Sequence, residues 1–277
     1  MRFYAELSQF EEDALFPSAR TSCVEASDGA ILWHALFGRT ELTGPAAARS
    51  NMSPTIVAVG GFNSNSGKTT LVCELLRALP GWEALKMTRG HYRSCGKDPH
   101  ACCVSHLLAE EPVVRTGRPE TYAPGKDTGR FWDAGASNVH WAIVTDRQVE
   151  EGFRAALSLV RSTGVLVEGN SFLRFAETDF AVLVARPDVL RIKPTARRAL
   201  PKASALYLSD DGQTLDAACR LRFEEWWCGA RLEELAPALP VYTRESLPQL
   251  VERIVSAHMR ALDESSVCDA LTPAHAS

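Results

Sequence analysis

No apolar run in this 277-residue chain approaches the roughly 18 residues that a membrane span requires. Nor is there an excess of one charge. Thirty Lys and Arg face 34 Asp and Glu, a formal net charge of -4, so there is no electrostatic case for a nucleic-acid partner. Internal repeats and low-complexity tracts are absent as well. With 45% hydrophobic and 23% charged residues, the disordered, collagen-like and coiled-coil classes are excluded. The opening residues turn acidic at Glu11-Glu12-Asp13, unlike a secretory signal, so the expected location is the cytoplasm. There the eight cysteines are expected to be reduced, buried, metal-binding or reactive rather than paired.

What is there divides into three parts. Residues 1–53 have no clear period and end in a small, polar stretch through Thr43-Gly44-Pro45 and Ser53-Pro54, which reads as an N-terminal extension and linker. Residues 54–262 alternate short apolar, β-branched runs with helical patterns. Strands are expected at 55–59, 82–87, 139–145, 165–167, 180–185, 205–208 and 241–242. Helices are expected over 68–79, from a cap at Asp146 to about Arg161, and from about Leu247 to Leu262. Residues 263–277 read as a flexible tail. The fold class is therefore α/β, a mostly parallel sheet with helices on both faces. Ligands in such sheets lie beyond the carboxyl ends of the strands, which here carry Gly60-Gly61, Lys86, Thr145-Asp146 and Glu168-Gly169.

The strongest motif is Gly61-Phe62-Asn63-Ser64-Asn65-Ser66-Gly67-Lys68-Thr69-Thr70, between the first strand and its helix. Small residues allow consecutive backbone N–H groups to turn inward, and the helix N-terminus adds partial positive charge. Gly61, Asn63, Asn65, Ser66, Gly67, Lys68, Thr69 and Thr70 are thus the candidate phosphate cradle. Lys68 would reach the β- and γ-phosphates and the Thr69 hydroxyl would face Mg²⁺. Glu168, after three apolar residues, stands where a nucleotide-binding sheet presents a carboxylate to Mg²⁺. Asp127, after a Pro-Gly turn, is either a further carboxylate of the site or a helix N-cap. Lys86 ends an apolar strand and could balance a phosphate or a substrate carboxylate, joined by Arg89, Arg93 and Arg130.

Five residues separate Gly61 from Gly67, one more than in the commonest phosphate loop. This longer loop resembles that of dethiobiotin synthetase and the cobyrinic acid amidotransferase group, with Phe62 standing where those families have Thr. Downstream, Gly125-Lys126-Asp127-Thr128-Gly129-Arg130-Phe131-Trp132-Asp133-Ala134-Gly135-Ala136 resembles a stretch of molybdopterin-guanine dinucleotide biosynthesis protein B. Val167-Glu168-Gly169 and Lys86 have counterparts in that family and in dethiobiotin synthetase. The likeness spans roughly residues 55–190 and implies a P-loop NTPase that uses Mg²⁺ with ATP or GTP. It further implies a role in cofactor maturation, with Lys68, Lys86, Asp127 and Glu168 as catalytic candidates and Thr69, Glu168 and Asp127 around Mg²⁺. The second ligand would be a small molecule or cofactor precursor, and homodimers are frequent among such proteins. The other reading from the resemblance is an ATP-dependent ligase or kinase acting on a small acid.

Some features fall outside these families. Cys95, Cys102, Cys103 and His106 form a candidate site for zinc or an iron–sulfur cluster, which would make the protein a nucleotide-gated metal carrier. Equally, Cys102 and Cys103 could open a helix with Leu107 and Leu108 and simply be buried. The guanine-reading element Asn-Lys-x-Asp is missing, which leaves Asp210-Asp211 and Arg191-Ile192-Lys193-Pro194-Thr195 as candidates to contact a base. Trp226-Trp227 is either an aromatic platform for a protein partner or one buried and one half-buried ring on a helix.

Overall fold

The β-branched run after Pro54 forms strand β1 (Thr55–Gly61), whose residues from Val57 onward are buried. In the computed structural model, which describes residues 53–90, 104–210 and 217–271, this strand lies inside an eight-stranded sheet. All described residues belong to the unit Ser50–Ser277. The other strands are β2 (Glu83–Arg89), β3 (Val113–Thr116), β4 (Val139–Val144), β5 (Gly164–Glu168), β6 (Phe180–Ala185), β7 (Ala205–Leu208) and β8 (Val241–Tyr242). Their order is β3-β4-β2-β5-β1-β6-β7-β8. Every pairing is parallel except β3 with β4. This is the expected α/β architecture.

Strand alternation sends successive side chains to opposite faces. Val57, Val59, Leu166, Val182 and Ala84 meet one apolar layer, built with α1 (Lys68–Ala78), α3 (Asp127–Asp133) and α7 (Leu247–Leu271). Ala58, Leu85, Val165, Val167 and Leu183 meet the other, built with α4 (Val149–Leu157), α5 (Pro194–Ala199) and α6 (Ala217–Gly229). A one-turn helix α2 (Arg118–Thr121) leads toward α3. Helix α1 buries Leu71, Val72, Leu75 and Leu76 at helical spacing.

Some elements depart from expectation. The edge strand β3 was not foreseen, because four half-buried residues after a proline carry little periodic signal. Asp146 does not cap α4, which starts after Gln148. Instead Asp146 pairs with Arg89 at 2.7 Å, and the Gln148 side chain closes the turn by accepting from the N–H and hydroxyl of Thr145. Helix α7 continues past Leu262 to Leu271.

A buried polar pair ties three strands together at the amino ends of β2 and β4. Glu83 of β2 is 3% exposed and His140 of β4 is fully buried. His140 Nε2 lies 2.6 Å from a Glu83 carboxylate oxygen, and its Nδ1 lies 2.9 Å from the hydroxyl of Thr116 on β3. The other Glu83 oxygen accepts the backbone N–H groups of Arg161 and Ser162 at 2.8 and 2.7 Å. Burial would raise the Glu83 pKa, but the bonds from His140, Arg161 and Ser162 outweigh it and lower it below the usual value. The folded pKa lies below the unfolded one. The stabilisation is therefore complete above about pH 4.5 and is lost as pH falls through the lowered value. Glu83→Gln is expected to destabilise the fold by about 3 kcal/mol at pH 7. In urea unfolding its gap to the wild type should close as pH drops below 4.5, whereas a pH-independent gap would contradict this account.

Candidate functional site

The register of three parallel strands builds the site before any loop is considered. Val59 of β1 lies beside Glu168 of β5, and Glu168 lies beside Lys86 of β2. Glu168 and Lys86 have the same strand parity as Leu166 and Ala84, so both project to the side that carries α1 and α3. At the end of β1 the chain turns into α1 through residues 62–67. Asn65 and Gly67 have positive φ, 60° and 90°. A Cβ on Gly67 would stand 2.3 Å from the Ser209 hydroxyl, and one on Gly61 would stand 2.3 Å from that of Ser66, so both positions need glycine.

Asn170, two residues beyond β5, anchors the loop at its base. Its side-chain oxygen accepts the Gly61 N–H at 2.7 Å and its amide donates to the Gly61 carbonyl at 2.9 Å. This role was missed in the sequence, where the only signal is an amide just after a strand end. Phe62, the residue that departs from the related loops, is 1% exposed. Its ring stacks on Trp227 with centroids 6.1 Å apart and contacts Phe223 and Trp226 at 6.5 and 6.3 Å. The tryptophan pair therefore packs against the back of the loop as helix rings, both half-buried where one was expected to be fully buried.

A cleft of roughly 610 Å³ opens over the loop. It is lined by the candidates Asn65, Ser66, Gly67, Lys68, Thr69, Thr70, Lys86, Asp127 and Glu168, along with Arg89 and Arg130. Gly61 and Asn63 do not line it. Gly61 sits beneath the loop, while the Asn63 side chain donates to the Arg191 carbonyl at 3.4 Å and its own carbonyl accepts from Lys68 Nζ at 3.3 Å. Lys193 and Thr195, singled out as base contacts, line the cleft too. Asp127 is the first residue of α3 and not its cap, which is Lys126.

Lys86 Nζ lies between two carboxylates, 2.5 Å from Asp127 Oδ2 and 2.6 Å from Glu168 Oε1. The second oxygen of Glu168 accepts the Thr69 hydroxyl at 3.0 Å, and Arg130 donates to the Thr70 hydroxyl at 3.2 Å. Burial would lower the Lys86 pKa, but Glu168 and Asp127 hold it above its ordinary value. Burial would likewise raise the Asp127 pKa, and Lys86 brings it below its ordinary value. For Lys68 the same two carboxylates compensate too little. Burial, aided by Lys86, depresses its pKa against the pull of Glu168. Burial and the charges of Lys68 and Arg89 bring Lys193 down to about 8. Lys68 and Lys193 thus present cations to the cleft that gain from negative charge, beside the first-turn N–H groups of α1 that no helical carbonyl can reach.

Of the candidate metal site, Cys95, Cys102 and Cys103 lie outside the described residues. His106 falls in a single 3₁₀ turn (Ser105–Leu107) and is exposed. Among the described residues no group of three or more His, Cys, Asp or Glu is arranged to hold a metal ion. No described helix is long and apolar enough to cross a membrane.

No family model matches the chain, and no curated protein matches its sequence. Among solved structures it is similar to HypB from Helicobacter pylori in complex with nickel. That likeness has 11% identity, covers 81% of this chain and 92% of that one, and has a TM-score of 0.44. The chemistry of this chain therefore rests on its own cleft.

Proposed function

We propose that the protein binds a nucleoside triphosphate with Mg²⁺ in the cleft over the β1–α1 loop and hydrolyses it in support of cofactor maturation. The observation that carries this reading is the convergence of Lys68, Thr69 and Glu168 at the start of α1, with the Thr69 hydroxyl 3.0 Å from a Glu168 oxygen. The triphosphate is either ATP or GTP. The maturation role follows from the likeness of residues 125–136 and 167–169 to molybdopterin-guanine dinucleotide biosynthesis protein B.

Each residue has a task that its surroundings suit. Lys68 and the loop N–H groups receive the phosphate oxygens, whose charge compensates the desolvated ammonium. The Thr69 and Glu168 oxygens are adjacent hard donors of the kind a Mg²⁺ ion takes together with phosphate oxygens, and they would hold it. Bound there, the ion would neutralise charge on the phosphate chain. Buried Ser66 Oγ has no hydrogen-bond partner among the described residues, a cost that a ligand oxygen in the loop would relieve. Lys86 fixes one oxygen each of Glu168 and Asp127, which leaves the Glu168 oxygen beside Thr69 aimed and Asp127 at the mouth.

The same geometry weighs against a ligase or kinase that uses Lys86 to hold a substrate acid. That ammonium already serves two carboxylates, so a third would meet little uncompensated charge.

Lys68→Ala is expected to weaken binding of Mg·ATP or Mg·GTP at least a hundredfold, about 2.7 kcal/mol, in calorimetric titration. Unchanged affinity would remove the proposal. A second expectation follows from Lys193. Phosphate favours its charged form and so raises its pKa from about 8 in the free protein. Affinity should be greatest below pH 8 and fall as pH rises above it. Titrations from pH 7 to about 9.5 should show this decline in the wild type and a flatter profile in Lys193→Gln. Equal slopes in the two proteins would show that Lys193 does not meet the phosphates.

A further inference from the structure

A second cleft, of roughly 490 Å³, adjoins the first. Asn170, Ser171, Thr195 and Arg89 line both, so the two volumes share a wall. Among the described residues the lining is strongly basic in a chain whose net charge is -4: Arg89, Arg174, Arg198 and Lys202 face a single acid, Asp146. Asp146 is engaged by Arg89 at 2.7 Å. Lys202 bonds the Ala176 carbonyl and pairs with Glu177, a side chain 93% exposed and therefore a weak partner in water. Arg174 and Arg198 have no ion pair among the described residues. Arg174 lies over the ring of Phe175, which is itself 40% exposed on the same wall.

Cations of one sign around a concavity repel one another, and the arrangement costs free energy until an anion enters. Nothing in the packing requires it, since Arg174, Arg198 and Lys202 are all exposed. Guanidinium groups present paired, planar donors that match phosphate and carboxylate oxygens. The volume suits a small organic molecule rather than a macromolecular surface, and the exposed Phe175 ring offers an apolar contact for its carbon skeleton. Chain continuity adds a link. Asn170 holds Gly61 of the phosphate loop, and the 3₁₀ turn Ser171–Arg174 that follows it carries both Ser171 and Arg174.

We propose that this cleft is the site of the second ligand, a small polyanion bearing phosphate or carboxylate groups, held by Arg174, Arg198 and Lys202 beside the nucleotide. Its position next to the triphosphate rests on the function proposed above, while its basic lining does not. The anion lies across the wall shared by Ser171 and Thr195, so both ligands are held at once.

The test uses the full chain with two probes, pyrophosphate and citrate, titrated into protein saturated with Mg·AMP-PNP or Mg·GMP-PNP and into nucleotide-free Lys68→Ala. At least one probe is expected to bind both preparations, with affinity falling as salt rises. The Arg174→Ala/Arg198→Ala double variant should weaken that binding tenfold or more while keeping its melting temperature and its affinity for nucleotide. Preference for pyrophosphate or for citrate assigns phosphate or carboxylate chemistry. Absence of binding by both probes, or binding that the double variant leaves unchanged, overturns the proposal. Binding abolished by Lys68→Ala or by nucleotide places the probe in the phosphate loop and overturns it too. If nucleotide itself fails to bind, the proposed NTPase function falls, and the double variant still decides the fate of the second cleft.

Discussion

The ammonium of Lys86 is the charge around which the carboxyl edge of the sheet is arranged. It is mostly buried, and it can stay charged there only because Asp127 and Glu168 lie within hydrogen-bond reach. The dependence runs in both directions. Without the lysine, the buried carboxylate of Glu168 would lie uncompensated beside a half-exposed Asp127. Removing one member of a buried pair typically costs about 3–5 kcal/mol, more than either group would contribute on the surface. The ion pair thus sets where Glu168 points, and through Glu168 it sets the hydroxyl of Thr69 at the start of α1. Helix α3, which brings Asp127, is docked to the same charge.

Behind that edge, the loop is held by two unlike supports. Asn170 fixes the backbone of Gly61 with a pair of hydrogen bonds, and Phe62 is stacked into the rings of Phe223, Trp226 and Trp227. The loop between β1 and α1 cannot hydrogen-bond to itself in the manner of a helix or a sheet, so its shape has to come from outside. The aromatic stack puts that support on α6, on the face of the sheet opposite α1. Phe62 is therefore structural, and its size is explained by a cluster that a threonine could not fill. The partly buried tryptophans face inward for the same reason, which removes the main motive for reading them as a platform for another protein.

Much of the sheet was legible because buried parallel strands are short, β-branched and apolar on both faces. The runs at 55–59, 165–167, 180–185 and 205–208 offer no competing helical period. The edge strand β3 was not legible, and neither was the length of α4. A four-residue edge strand gains its identity from β4 alone, and the turn before α4 is closed by Gln148, a residue type with no strong capping preference. Of the cleft, Lys68, Thr69, Lys86, Asp127 and Glu168 could be singled out one by one, since each sits at a strand end or a helix start. Their mutual arrangement could not, and neither could Asn170, whose role depends on a contact 109 positions away along the chain.

The amino-acid sequence by itself determined seven of the eight strands and the composition of the β1–α1 loop, because both depend on neighbours within a few residues. Only the tertiary structure decided that Lys86 would neutralise Asp127 and Glu168 and that Arg174 and Arg198 would line a second cleft beside the first. Charges from separate segments acquire a common environment only when sheet register and helix docking bring them together. A Coulomb energy depends on distance and desolvation, and neither is written in the spacing of residues along a chain.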